Sequence, residues 1–134
     1  MKIAVIGAGT WGIALARMLS NSGHEVTVWS ALPVEIKELD RTRRQKNLPN
    51  MEIPAEVVFT KNLEEACHGK DILLFAVPSV FVRTTARKAS SFVSEGQIIV
   101  DVAKGIESDT LMTMSEVITS EIPQAKVVAH SGPT

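Results

Sequence analysis

A chain of 134 residues has the length of one domain and can bury a substantial core. Charged residues make up 22% of it and the formal net charge is -1, so there is no basic field to draw in nucleic acid. Its apolar stretches, such as the one from Asp71 to Pro78, fall far short of the roughly 20 residues that span a bilayer. The single cysteine, Cys67, cannot form an internal disulfide. Met1-Lys2-Ile3-Ala4-Val5-Ile6 runs straight into glycines with no cleavage region, so it reads as a strand and not as a secretion leader. Together these two features point to a reducing, cytoplasmic setting, with Cys67 packed inward on a helix.

In chain order, short β-rich runs alternate with longer amphipathic ones. Lys2 to Ile6 reads as a first strand, and Trp11 to Asn21 repeats apolar residues at helical spacing until Ser22-Gly23 stops it. Glu25 to Ser30 is a second strand, and Pro33 opens a helix to about Asp40. Arg41 to Pro54 is basic and then Pro/Asn-rich, which predicts an exposed loop or broken helix. Val57 to Thr60 makes a short strand, Asn62 to His68 a helix capped at Asn62, and Asp71 to Val77 a buried strand ended by Pro78. Helix-compatible sequence from Ser79 to Phe92, a strand from Gln97 to Val102, a helix from Asp109 to Ser120 and a strand from Lys126 to His130 complete the series. This alternation predicts the α/β class: a doubly wound, mainly parallel sheet with helices on both faces.

Gly7-Ala8-Gly9-Thr10-Trp11-Gly12 fits G-x-G-x-x-G. Alone the pattern is weak; it gains force from standing directly after a strand, opening a helix and lying in a βαβ unit. In a Rossmann-type domain the first glycine permits a tight turn, the second lets the backbone approach a pyrophosphate, and the third packs helix on strand. The reading is therefore an NAD or NADP site built on Gly7, Gly9 and Gly12. Such folds usually place Asp or Glu at the end of the second strand, where this chain has Ser30-Ala31. Lacking that carboxylate, it is expected to tolerate NADP. Arg41, Arg43 and Arg44 are either partners for a 2′-phosphate or simply a solvated surface. Trp29 reads as core, with the wall of an adenine pocket as the alternative.

Three further groups fall at the C-terminal edge of the predicted sheet, where ligands bind in open α/β folds: Ala76-Val77-Pro78-Ser79, Lys104-Gly105-Ile106-Glu107 and His130-Ser131-Gly132-Pro133-Thr134. With Gly7 to Ala16, Gly23-His24-Glu25-Val26 and Asn47-Leu48-Pro49, they closely resemble the bacterial NAD(P)-dependent glycerol-3-phosphate dehydrogenases across essentially the whole chain. The resemblance implies that Thr10 and Trp11 lie against the cofactor phosphates; Ser30, at the end of the second strand, and Val77 and Pro78, at the C-terminal sheet edge, are read as part of the cofactor site from their positions. It implies that Lys104 contacts cofactor and substrate phosphate, and that Gly132 and Thr134 help form the substrate site. It also implies reversible reduction of dihydroxyacetone phosphate to sn-glycerol 3-phosphate for phospholipid synthesis. In that family the catalytic lysine, acting as general acid and base, comes from a helical domain beyond Thr134, so no catalytic residue is assigned within the chain, nor any metal ligand. One departure stands out: family members commonly carry a basic or imidazole side chain where this chain has Ala31.

Two other readings stand beside this one: a dehydrogenase of the ketopantoate or hydroxyacid type, and a nucleotide-binding module without catalysis of its own. A terminal strand free to pair with its equivalent in a second chain predicts a homodimer.

Overall fold

The structure, a computed structural model, describes residues 1–129. Six strands form one sheet: β1 (Lys2–Ile6), β2 (Glu25–Trp29), β3 (Val58–Thr60), β4 (Ile72–Phe75), β5 (Ile98–Asp101) and β6 (Lys126–Ala129). Their spatial order is β3-β2-β1-β4-β5-β6 and every pairing is parallel. The helices are α1 (Thr10–Asn21), α2 (Pro33–Thr42), α3 (Leu63–Cys67), α4 (Val82–Ala89) and α5 (Met114–Glu121).

Both faces of the sheet are covered, and the side-chain alternation of the central strands shows it. In β1, Ala4 and Ile6 join a core with Leu63 and Ala66 of α3, Val82 and Ala86 of α4 and Val117 of α5. Val5 points the other way, into a core with Ile13 and Ala16 of α1 and Leu39 of α2. Leu73 and Phe75 against Leu74 repeat the split in β4. Two buried faces explain why these strands read as nearly continuous apolar runs. Trp29 and Cys67 belong to the first core. The Trp29 indole N–H donates to the Lys61 carbonyl at 3.1 Å, and burial pushes the Cys67 thiol up to about 11.

The helix ends follow from local chemistry. Asn62 caps α3 by accepting from Glu65 N–H at 3.1 Å, and α1 closes where Gly23 N–H reaches the Ser20 carbonyl and His24 N–H the Leu19 carbonyl. One expectation needs correction. The last helix begins at Met114 and not at Asp109, because Thr113 and Glu116 form a reciprocal capping box. The segment before it is instead folded back, with Leu111 at φ 61 and its N–H on the Glu107 carbonyl. The segment from Ser79 to Phe92 is one α-helix, α4, flanked by a single 3₁₀ turn on each side.

The basic segment from Arg41 is less loose than its composition predicts. α2 runs on to Thr42, and Arg43, in the left-handed region at φ 57, turns the chain. Its guanidinium donates to the carbonyls of Val57 (2.6 Å) and Pro54 (3.3 Å), pairs with Asp40 (2.9 Å) and lies over the Phe59 ring. Buried Ile53 and Gln45 anchor the rest. No helix among the described residues is long and apolar enough to cross a membrane.

Candidate functional site

The strand order reverses between β1 and β4, so the chain leaves these neighbours in opposite directions and opens a crevice beyond their C-terminal ends. Gly7 fills the base of that crevice. Its φ is 129, and a Cβ there would stand 2.8 Å from the Ala76 carbonyl carbon and oxygen and 2.9 Å from Val77 N. A side chain is thus excluded both by conformation and by the close approach of the two loops. Gly7 N–H donates to the Trp29 carbonyl at 2.9 Å, which ties the turn to the end of β2 as well. Gly12, one turn into α1, packs directly on the Gly7 carbonyl.

Gly9 is different. It is exposed, and a Cβ added to it would meet nothing within 4 Å. Gly9 is also the N-cap of α1, contributes no side-chain cap, and is followed by a first turn without acidic residues. The leading N–H groups of a twelve-residue helix therefore face open space with their partial positive charge uncompensated. An anion at that point gains hydrogen bonds and the favourable end of the helix dipole together. The residues present fit a dinucleotide pyrophosphate: the backbone is bare where the phosphates approach, and glycine is sterically required only beneath it.

The other predicted residues gather at the same edge. Thr10 and Trp11 begin α1, with Trp11 55% exposed. Ser30 follows β2 and is buried; Val77 is buried and Pro78 exposed just beyond β4. Lys104 is exposed in the loop after β5, and the next residue, Gly105, lies against Ser79: a Cβ added to Gly105 would stand 3.8 Å from the serine Cβ. Asp101 shapes that loop: its buried carboxylate accepts from Ala103 N–H and from the Ser115 hydroxyl, both at 2.9 Å, while burial raises its pKa. His130, Gly132 and Thr134 lie outside the described residues.

Several contacts at this edge carried no assigned role in the sequence. Asn47 Nδ2 donates to Thr10 Oγ1 at 3.1 Å, drawing the Asn47-Leu48-Pro49 loop onto the glycine turn. Arg83 of α4 grips Glu107 with two nitrogens, at 2.7 and 2.9 Å, and also reaches Glu121 of α5. That fork holds the loop carrying Lys104 and, with the Thr110 hydroxyl, keeps the Glu107 carboxyl down at about 2. Glu35 accepts from Ser30 Oγ at 2.9 Å. Nothing local in the sequence says which strand end or loop Glu35 and Arg83 meet.

The arginines considered for a 2′-phosphate are mostly engaged. Arg41 pairs with Glu38 at 2.7 Å, Arg43 is the structural tie described above, and Arg44 donates to the Pro49 carbonyl at 2.9 Å. Among the described residues no group of three or more His, Cys, Asp or Glu is placed to hold a metal. A second hollow lies at the opposite, N-terminal edge of the sheet, lined by Met1, Lys2, Gly23, Glu25, Gly69 and Asp71. It offers no helix N-terminus and belongs to the edge where open α/β sheets do not bind ligands.

Fold and site together define a Rossmann-type dinucleotide-binding domain. Residues 2–134 match the family described as the NAD-dependent glycerol-3-phosphate dehydrogenase N-terminus. The chain belongs to that family, and its cofactor is NAD or NADP. It is 67% identical to a glycerol-3-phosphate dehydrogenase of Lactobacillus delbrueckii subsp. bulgaricus, covering 99% of this chain and 41% of that protein. It is 49% identical to one from Agathobacter rectalis, covering 99% and 40%. The crystal structure of glycerol-3-phosphate dehydrogenase from Coxiella burnetii superposes with a TM-score of 0.90 at 26% identity, over 98% of this chain and 41% of that one. The chain thus spans about two fifths of the length of the curated relatives it matches. A ketopantoate reductase from Ralstonia eutropha, at 22% identity and a TM-score of 0.78, shares the fold.

Proposed function

We propose that this chain is the cofactor-holding part of an enzyme that reversibly reduces dihydroxyacetone phosphate to sn-glycerol 3-phosphate, in the cytoplasm and in the service of phospholipid synthesis. One observation carries the reading: the uncapped N-terminus of α1 facing open space over Gly9, at the crevice between β1 and β4. Gly9, Thr10, Trp11 and Gly12 supply backbone donors for the pyrophosphate, Ser30 meets the adenosine ribose, and Val77 and Pro78 wall the path toward the nicotinamide. The dinucleotide supplies hydride when bound. Lys104, exposed on the Arg83–Glu107-braced loop, offers a positive charge to a substrate phosphate or a developing alkoxide; Gly132 and Thr134 complete that side.

Protonation of the substrate oxygen needs an acid within hydrogen-bonding reach. Lys104 serves binding in this scheme, and the general acid and base is a lysine of a separate helical domain, as the family resemblance implies. The 134 residues by themselves act as a nucleotide-binding module. Among the described residues β6 pairs only with β5, and its Val128 is 47% exposed, which supports association of two copies along that edge. An assay with dihydroxyacetone phosphate and either NADH or NADPH, run beside light scattering on the same sample, tests both parts. The expected result is cofactor binding without turnover, in a dimeric species. Sustained turnover by the chain alone contradicts the first part, and a monomer at high concentration contradicts the second.

A further inference from the structure

The ribose end of the site holds a carboxylate that does not stand where sequence spacing looks for one. β2 ends at Trp29, and the next position, where an NAD-binding fold commonly carries Asp or Glu, is Ser30. Ser30 is 6% exposed and its hydroxyl makes two hydrogen bonds: Oγ accepts from Leu32 N–H at 3.1 Å and donates to Glu35 Oε1 at 2.9 Å. Pro33 fixes the first turn of α2, so Glu35 falls at the third helical position and its carboxylate swings back toward the strand end. The second carboxylate oxygen of Glu35 has no hydrogen-bond partner among the described residues.

The surroundings place this carboxylate on the cofactor side of the molecule. Glu35 lines a groove of ≈ 680 Å³ that also contains Ala8 of the glycine turn, Leu32 and Leu39. Turn and carboxylate therefore open onto one continuous space. As the only acidic residue in the first turn of α2, Glu35 also compensates the positive end of that helix, which would otherwise attract a phosphate. The cations of the same groove, Arg44 and Lys46, come from the loop that forms its other wall, and Arg44 is already bonded to the Pro49 carbonyl.

We infer that Glu35, held by Ser30, is the acceptor for the 2′-hydroxyl of the adenosine ribose, so that this chain selects NAD over NADP. The inference rests on the reading of the glycine turn as the pyrophosphate site. A ribose hydroxyl donates to the free carboxylate oxygen in a charge-assisted hydrogen bond. A 2′-phosphate at the same carbon brings negative charge against that oxygen and has no proton to offer it at neutral pH. The serine at the strand end and the glutamate five residues on together replace the single acidic residue of the usual arrangement.

Calorimetry of the 134-residue chain with NAD and with NADP tests the inference. The parent is expected to bind NAD at least tenfold more tightly. Glu35→Gln keeps the shape and removes the charge; it should shrink the preference at least fivefold, chiefly by strengthening NADP binding. Ser30→Ala, which frees the carboxylate to swing, should also narrow the ratio, and the thermal midpoint of each variant checks that the fold is kept. Equal affinity for both cofactors in the parent, or an unchanged ratio in a folded Glu35→Gln protein, overturns the inference. If a folded parent binds neither dinucleotide, the glycine-turn reading itself fails, and the inference falls with it.

Discussion

Gly7 and Gly9 stand two residues apart in one turn, and the structure assigns them opposite consequences when they are replaced. Gly7→Ala puts a methyl group at φ 129, within 2.8–2.9 Å of the backbone of Ala76 and Val77. A non-glycine residue in such a conformation costs about 1–3 kcal/mol, and forcing a methyl into packed backbone adds about 1–3 kcal/mol. Taking about 4 kcal/mol as the centre of the two together, and about 2.1 cal/mol/K of unfolding entropy per residue, the thermal midpoint should fall by roughly 14 °C. Gly9→Val meets nothing within 4 Å. Its cost is that of a poor N-cap residue, about 1 kcal/mol or less, or roughly 3 °C. Binding should respond in the reverse sense, because the valine side chain occupies the space over the α1 N-terminus. Calorimetry with NADH and NADPH should show at least a hundredfold loss for Gly9→Val, while Gly7→Ala, measured well below its midpoint, keeps more of its affinity. Wild-type affinity in Gly9→Val would refute the reasoning, and so would a larger loss of stability at Gly9 than at Gly7.

Two other expectations concern contacts around the turn. Asn47→Ala removes an exposed hydrogen bond to Thr10, worth about 1 kcal/mol at most; it should move the midpoint little yet weaken dinucleotide binding by roughly three- to tenfold, because the loop loses its tie to the glycine turn, and unchanged affinity by calorimetry contradicts that role. The Glu107 carboxyl sits at about 2 in the folded chain against an ordinary 4.5, mainly through Arg83, so the unfolded chain binds the extra proton and the pair's contribution is complete above about pH 4.5 and lost as pH falls toward 2. Urea midpoints between pH 5 and 3 should therefore fall more steeply in the parent than in Glu107→Gln. Asp101, raised by burial, has the opposite trend but is common to both proteins and cancels in the comparison; parallel slopes would show that the Arg83–Glu107 fork contributes nothing to stability.

Much of this was legible in the sequence, for physical reasons that can be named. The β1–turn–α1 unit was readable because a buried parallel strand, a sterically required glycine and an amphipathic helix each leave a local mark, at Lys2–Ile6, Gly7 and Thr10–Asn21. The start of α5 was also within reach: Thr113-Met114-Ser115-Glu116 spells a capping box, a stronger signal than Asp109. The ribose end was not. A missing carboxylate at Ser30 is a local fact, whereas its replacement by Glu35 depends on where α2 turns back toward β2. The arginines stay ambiguous in sequence for the same reason: composition shows three cations close together, and only the fold shows Arg43 spent on the carbonyls of Pro54 and Val57. Asn47 matched a family motif, but its partner Thr10 lies 37 residues away in sequence.

The central claim is that a dinucleotide lies along the C-terminal edge of the sheet with its phosphates at the N-terminus of α1. Amide chemical-shift mapping of the isotope-labelled chain during titration with NAD tests this most directly, since it reports position as well as affinity. The largest shifts should fall on Gly7 to Ile13, with a second group at Ser30 to Glu35 and a third at Val77 to Ser79. Shifts concentrated instead around Met1, Lys2, Gly23, Glu25 and Asp71, which line the hollow at the opposite edge, would contradict the account.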